Sequence, residues 1–279
     1  MATIFGSGAA CTLFTSLDGL SDGPARAPNE AGDERTPSPA DAGDAGRDAA
    51  LDAEAGPSRY AAAVMTDAPL LYYRLGETGG APARDEVTGA TTPYPVSGGK
   101  LGAVGALAGD SNTAITLDGT FRLQLTQLVD FEGLAPFTVE VWASPTSSSN
   151  RVAFIVDNEF WGNRHGWMLS MDKERVGFER WQRDGGSTSI GAAQVAVDGE
   201  WHHVVASFDG TTRRIYVDSV RRADGPGGVP LTAIGMPWSV GNQNCACSGT
   251  GFIGGLDELA IYDKALNEER IRAHFLAGR

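Results

Sequence analysis

The 279-residue sequence predicts an all-β protein, an antiparallel sandwich or barrel that ends in one short helix. Three observations carry this. Glycine stands at 37 positions while 20% of residues are charged, a composition suited to many turns and short strands rather than to long helices. Short apolar runs recur at regular spacing, separated by Asp-Gly, Gly-Gly and Asp-Ser pairs. The stretch FTVEVWA alternates cleanly, with Phe137, Val139 and Val141 on one face and Thr138, Glu140 and Trp142 on the other.

Residues 1–20, MATIFGSGAACTLFTSLDGL, resemble the start of a mature bacterial lipoprotein, in which Cys11 would carry the lipid; GAAC partly matches the small-residue lipobox. The segment lacks a basic stretch and has a mere stub of an apolar one. Either the true start lies upstream, or Cys11 is incidental. Residues 21–58 form an acidic Asp/Ala/Gly/Pro linker. Between Ser21 and Pro57 there is no aromatic residue and one leucine, too little apolar surface to offset chain entropy, so this linker is expected to be disordered.

A single sandwich domain is expected over residues 59–279. RYAAAVMTDAP reads as a short helix stopped by Pro69, and LLYYRLGE as a strand. Further strands are expected in AITLDG, FRLQLTQL, FTVEVWASP, RVAFIVDN, GWMLSMD, RVGFERWQRDGG, AAQVAVDG, WHHVVASFDG, RRIYVDS, WSVGNQN and FIGGLDELAIYD. The closing helix is ALNEERIRAHFLAG, with Asn267 as N-cap, Glu268 and Glu269 in the first turn, and Gly278 near its end.

Of the net charge of −13, −7 falls on residues 1–58. An acidic chain without a basic stripe lacks the footprint of phosphate binding, so nucleic acid is not an expected partner. No apolar run reaches the length of a bilayer-spanning helix. Neither G-x-S-x-G nor G-x-x-x-x-G-K-[ST] is present, which removes the sequence support for serine-nucleophile and phosphate-loop chemistry.

Taken in order, LLYYRLGE, AITLDGT, FTVEVWASP, GWMLSMD, EWHHVVASFDGTTRRIYVDS and FIGGLDELAIYDKALNEERIRAHF resemble the laminin-G-like, concanavalin-A-like jelly-roll domains of bacterial secreted proteins. The resemblance spans roughly Tyr60 to Phe275. It implies two antiparallel sheets packed face to face, and a non-catalytic binding or adhesion module at a bacterial envelope, with carbohydrate or glycoprotein as partner. The alternatives are a glycan-processing enzyme of the same fold and a purely structural interaction domain. It also implies a structural calcium ion to which the acid of the last strand, Asp257, contributes, with Asp118 of ITLDG as a second ligand. Otherwise Asp257 caps a turn or pairs with an arginine.

Glycosidases of this fold carry Glu-x-Asp-x-x-Glu or Glu-x-Asp-x-Glu on one strand, and GGLDELAIYD has no such spacing. Asp257 and Glu258 are adjacent, and strand parity would send them to opposite faces. The same parity separates His202 from His203, so zinc is not expected there; His165 and His274 lie far off in sequence. Cys245 and Cys247 are expected to form a disulfide in an oxidising compartment, free thiols being the alternative. Trp161, Arg164, Trp181 and Arg183 flank strand ends, where an aromatic face with nearby donors suits a sugar; Trp142, Trp167 and Trp201 fall inside strand patterns and belong to the core.

Overall fold

The structure, a computed structural model, describes residues 58–146, 153–160, 165–172, 175–181, 187–193, 197–232, 235–244 and 250–279. In chain order they form α1 (Arg59–Thr66), β1 (Leu71–Tyr73), β2 (Ala83–Arg84), β3 (Thr91–Thr92), β4 (Gly99–Val104), β5 (Thr113–Asp118) and β6 (Leu123–Gln124). There follow β7 (Phe137–Pro145), β8 (Ala153–Phe160), β9 (His165–Asp172), β10 (Arg175–Trp181), β11 (Ser187–Ala193) and β12 (His202–Phe208). The last elements are β13 (Thr212–Val217), β14 (Val220–Pro226), β15 (Ser239–Val240), β16 (Ile253–Tyr262) and α2 (Glu268–Ala277). Among the described residues, no helix is long and apolar enough to cross a membrane.

Eight strands make one antiparallel sheet in the order β14-β13-β12-β7-β16-β5-β4, with β1 also paired to β16; six make the other, β11-β10-β9-β8-β15-β6. Three local expectations shift. β11 occupies Ser187–Ala193 rather than the AAQVAVDG run, and FRLQLTQL and WSVGNQN each yield two-residue strands. β4 and β14 carry no apolar alternation, because each is an edge of the large sheet with several exposed side chains.

The alternation in FTVEVWA sets the layers. Phe137, Val139 and Val141 face the six-stranded sheet and pack with Val156, Trp167, Leu169, Phe178 and Trp238. Thr138, Glu140 and Trp142 face the other way, where α1 and α2 cover the large sheet and build a second core from Tyr60, Val64, Trp142, Val205, Tyr262 and Ile271. α2 is positioned by its N-cap, since Asn267 Oδ1 accepts the Arg270 amide at 2.9 Å.

A charged network lies inside this second core. Glu140, without exposed surface, is 3.2 Å from His203 Nε2 and 3.0 Å from His274 Nδ1, and it accepts the Tyr262 hydroxyl. His274 Nε2 reaches Asp67 Oδ2 at 2.8 Å. Burial raises the Glu140 carboxyl, but the His274 charge and hydrogen bonds from both rings outweigh it and hold the group far below the usual carboxylate range. Burial likewise opposes charge on His274, and the Glu140 and Asp67 carboxylates overcome it and raise that ring above its ordinary value. His202 points outward to Asp218 at 2.8 Å, so the two adjacent histidines occupy opposite faces as parity requires.

Candidate functional site

The outer face of the six-stranded sheet collects the polar groups best placed to meet a ligand. β10 alternates: Val176, Phe178 and Arg180 are buried inward, while Arg175, Glu179 and Trp181 project outward and keep exposed surface. The strand register places Glu179 opposite Met168 on β9 and Ser189 on β11, and Met168 opposite Asp157 on β8. These residues form one cross-strand row. Asp157 is fully buried and accepts the Asn244 amide at 2.7 Å, and Asn244 also accepts from Arg122 and Gln124. The β8 end of the row is thereby closed by the 241–244 segment, and the β10 end stays open at Trp181. Burial raises the Glu179 carboxyl; Arg213 beneath the sheet and the Trp181 indole N–H draw it partly back.

The expectation that Asp257 and Glu258 face opposite sides is overturned. β5 pairs with β16 through Leu256, β1 pairs with it from Leu259, and the register against β7 slips between Asp257 and Ala260. Glu258 sits in this bulge with φ +53°, left-handed backbone that rotates its side chain to the same side as Asp257. Asn112 Nδ2 touches both, at 3.4 Å from Asp257 Oδ1 and 3.1 Å from Glu258 Oε1. Asp257 Oδ2 accepts the Ala106 amide at 2.9 Å. Glu258 takes the Arg74 guanidinium at 2.9 and 3.0 Å and the Tyr72 hydroxyl, and Arg74 continues to Asp110 at 2.6 Å. A cavity of about 490 Å³ opens beside Arg74 and Asn112.

Burial raises Asp257 well above the ordinary range, helped by the Glu258 charge, and pushes Glu258 up to about 7 against the pull of Arg74. An acid whose folded value is raised removes stability as it ionises: the effect is absent below the unfolded value of about 4 and grows as pH rises toward the folded one. Asp257→Asn should therefore gain on the wild type by up to about 1.4 kcal/mol per pH unit between about pH 5 and 7. Urea unfolding across that range checks this; parallel curves for the two proteins would contradict it.

Asp118 and Asp257 are not brought together. Asp118 pairs with Ile253, four residues from Asp257 and roughly 13 Å along the strand. Its exposed carboxylate caps a turn, accepting the Thr120 amide and hydroxyl at 2.8 and 2.7 Å. Among the described residues no group of three or more His, Cys, Asp or Glu side chains is placed to hold a metal. Both Asp257 oxygens already face N–H donors, and Arg74 supplies the positive charge beside them. These two acids do not fit a shared calcium site.

Trp142 and Trp167 are buried as core residues, and Trp201 is half-buried against the second core. Cys11, Trp161, Arg164, Arg183, Cys245 and Cys247 lie outside the described residues. Glu179 was overlooked in the sequence, although GFERW places it two residues before Trp181 and hence on the same face. Arg74, Asn112 and Asn244 leave no such trace, since each acts from a strand end or a loop.

Two antiparallel sheets packed face to face, with a helix closing the chain, define a jelly-roll sandwich. The chain belongs to the concanavalin A-like lectin/glucanases superfamily, whose laminin-G family model matches residues 117–272. No similar sequence was found among curated proteins. Among solved structures, the binding domain of Paraclostridial mosquitocidal protein 1 is similar at 17% identity and TM-score 0.52, over 74% of this chain and 51% of that one. The binding domain of botulinum neurotoxin DC in complex with rat synaptotagmin II is similar at 14% and 0.56, over 76% and 52%. The ligand-binding domain of botulinum neurotoxin serotype D in complex with N-acetylneuraminic acid is similar at 12% and 0.53, over 77% and 52%. The chain spans about half the length of these structures. At such identities the likeness is one of fold.

Proposed function

We propose that this chain is a non-catalytic binding module that takes carbohydrate, free or on a glycoprotein, on the open end of the six-stranded sheet. One observation carries the reading: Trp181 stands partly exposed beside Glu179 at the open end of an outer sheet row whose β8 end is closed by the Asn244–Asp157 contact. An indole face packs against the apolar side of a sugar ring, and a carboxylate accepts its hydroxyls. The carboxylate favours a neutral sugar over an acidic one. The superfamily's lectins support carbohydrate as the ligand class, as does the serotype D neurotoxin domain, whose bound sugar, N-acetylneuraminic acid, is an acidic one. A glycan array probed with the chain and with Trp181→Ala tests it: neutral glycans should be retained by the wild type and lost by the variant. An empty array, or identical profiles, would count against it.

A glycan-cleaving reading has one observation in its favour, because Asp157 and Glu179 lie on one face two strands apart, about 10 Å by strand spacing. Asp157 is closed to solvent and engaged by the Asn244 amide, which denies it to a catalytic water. Release of reducing sugar from a bound glycan, abolished by Glu179→Gln, would favour that reading instead.

The acidic linker and Cys11 support display of the module from a bacterial envelope. Expressed from its full reading frame in a native host, the chain should partition with membranes and Cys11→Ser should release it. Unchanged partitioning of that variant would remove the anchor.

A further inference from the structure

Two arginines are buried between the sheets. Arg180 on β10 has no exposed surface and Arg213 on β13 has 1%. Neither is ion-paired to a carboxylate among the described residues, whose arginine pairs involve Arg74, Arg84, Arg214, Arg221, Arg270 and Arg279. Glu179 acts on Arg213 from the opposite face of β10.

The hydrogen bonds of this pair are half complete. Arg180 Nη2 donates to the carbonyls of Gly133 and Val229, both at 3.0 Å, and its guanidinium lies 3.9 Å over the Phe208 ring. Its Nε and Nη1 are buried with no hydrogen-bond partner among the described residues. Thr188, directly opposite Arg180 in the β10–β11 register, also buries an Oγ1 without a partner. Arg213 Nη1 donates to the Thr188 carbonyl at 2.6 Å and to the Phe178 carbonyl at 3.0 Å, which brings a second positive charge to the same residue. Burial and, after it, the charge of Arg213 together lower Arg180 to about 10, as expected of two cations held close inside the protein.

Three enclosed donors without an acceptor and two positive charges thus lie at one position of the β10–β11 register. A water molecule would bring protons that themselves need acceptors and would leave the charge uncompensated. The aromatic walls, Phe137, Phe178 and Phe208, suit an ion that sheds its hydration easily. We propose that Arg180 Nε and Nη1 together with Thr188 Oγ1 bind a chloride-sized monovalent anion between the sheets, with Arg213 as the second balancing charge. The ion joins β10 to β11 and β13 directly beneath Glu179 and Trp181.

The test uses the full chain in urea, in sodium chloride and in sodium gluconate at one constant ionic strength. The unfolding midpoint should rise with chloride and saturate, because an ion that binds the folded state alone stabilises it by mass action. Thr188→Val should shift saturation to several-fold higher chloride, and Arg180→Met should abolish the dependence. If Arg180→Met does not fold, Thr188→Val decides. A crystal grown in sodium bromide should show an anomalous peak within hydrogen-bond distance of Arg180 Nε. Equal midpoints in the two salts, or the same chloride response in Thr188→Val as in the wild type, would overturn the proposal.

Discussion

Glu140→Ala should lower the unfolding free energy by about 4 kcal/mol, because breaking one partner out of a buried charged network leaves the others uncompensated. His274 would keep Asp67 alone, while His203 Nε2 and the Tyr262 hydroxyl would lose the acceptor they share. Glu140→Gln keeps the shape and should cost roughly half as much. The loss carries a pH signature. Glu140 is held low, so its stabilisation is present above its unfolded value of about 4.3 and fades as pH falls below it; His274 is held high, so its share is complete below about 6.5 and is lost as pH rises through its folded value. The gap between wild type and Glu140→Ala should peak between those limits in urea titrations. A gap that does not vary with pH would contradict the ion-pair account of this core.

Arg74→Ala should cost about 3 kcal/mol by the same reasoning at a partly exposed site. The guanidinium ties β1 to Glu258 across the bulge of β16 and to Asp110 in the following loop. Without it, Asp257 and Glu258 share a buried niche with no cation between them. Combining Arg74→Ala with Asp257→Asn should recover part of the loss, since removing one acid relieves the repulsion that the arginine had offset; a double-mutant cycle measures this coupling. Strict additivity of the two substitutions would show that the arginine and Asp257 do not sense each other.

The sandwich was legible in the sequence because a half-buried strand writes its geometry directly into alternation. The alternation in FTVEVWA separated the two faces of β7 correctly, while the second, helix-covered core that receives Glu140 and Trp142 was not legible in it. Asn267 was legible for a similar reason, as capping is a local interaction. What failed was non-local or irregular. LDEL carries no glycine or asparagine to announce left-handed backbone at Glu258, so parity was applied where the strand breaks step. The meeting of Glu140, His203 and His274 depends on strand order and on where α2 docks, which no short stretch encodes. The edge strands β4 and β14 escaped because they bury little and therefore need no apolar period. Asp118 and Asp257 could be linked through a family resemblance, but not through the register that separates them.

The central claim, a sugar site built on Trp181, is tested most directly by calorimetric titration of the strongest array glycan into wild type and Trp181→Ala at matched folded concentration. Losing the buried indole face should cost about 2 kcal/mol, or about thirtyfold in Kd, with the melting temperature little changed because Trp181 lies outside both cores. Equal affinity for the two proteins would contradict the claim and move the binding surface away from the six-stranded sheet.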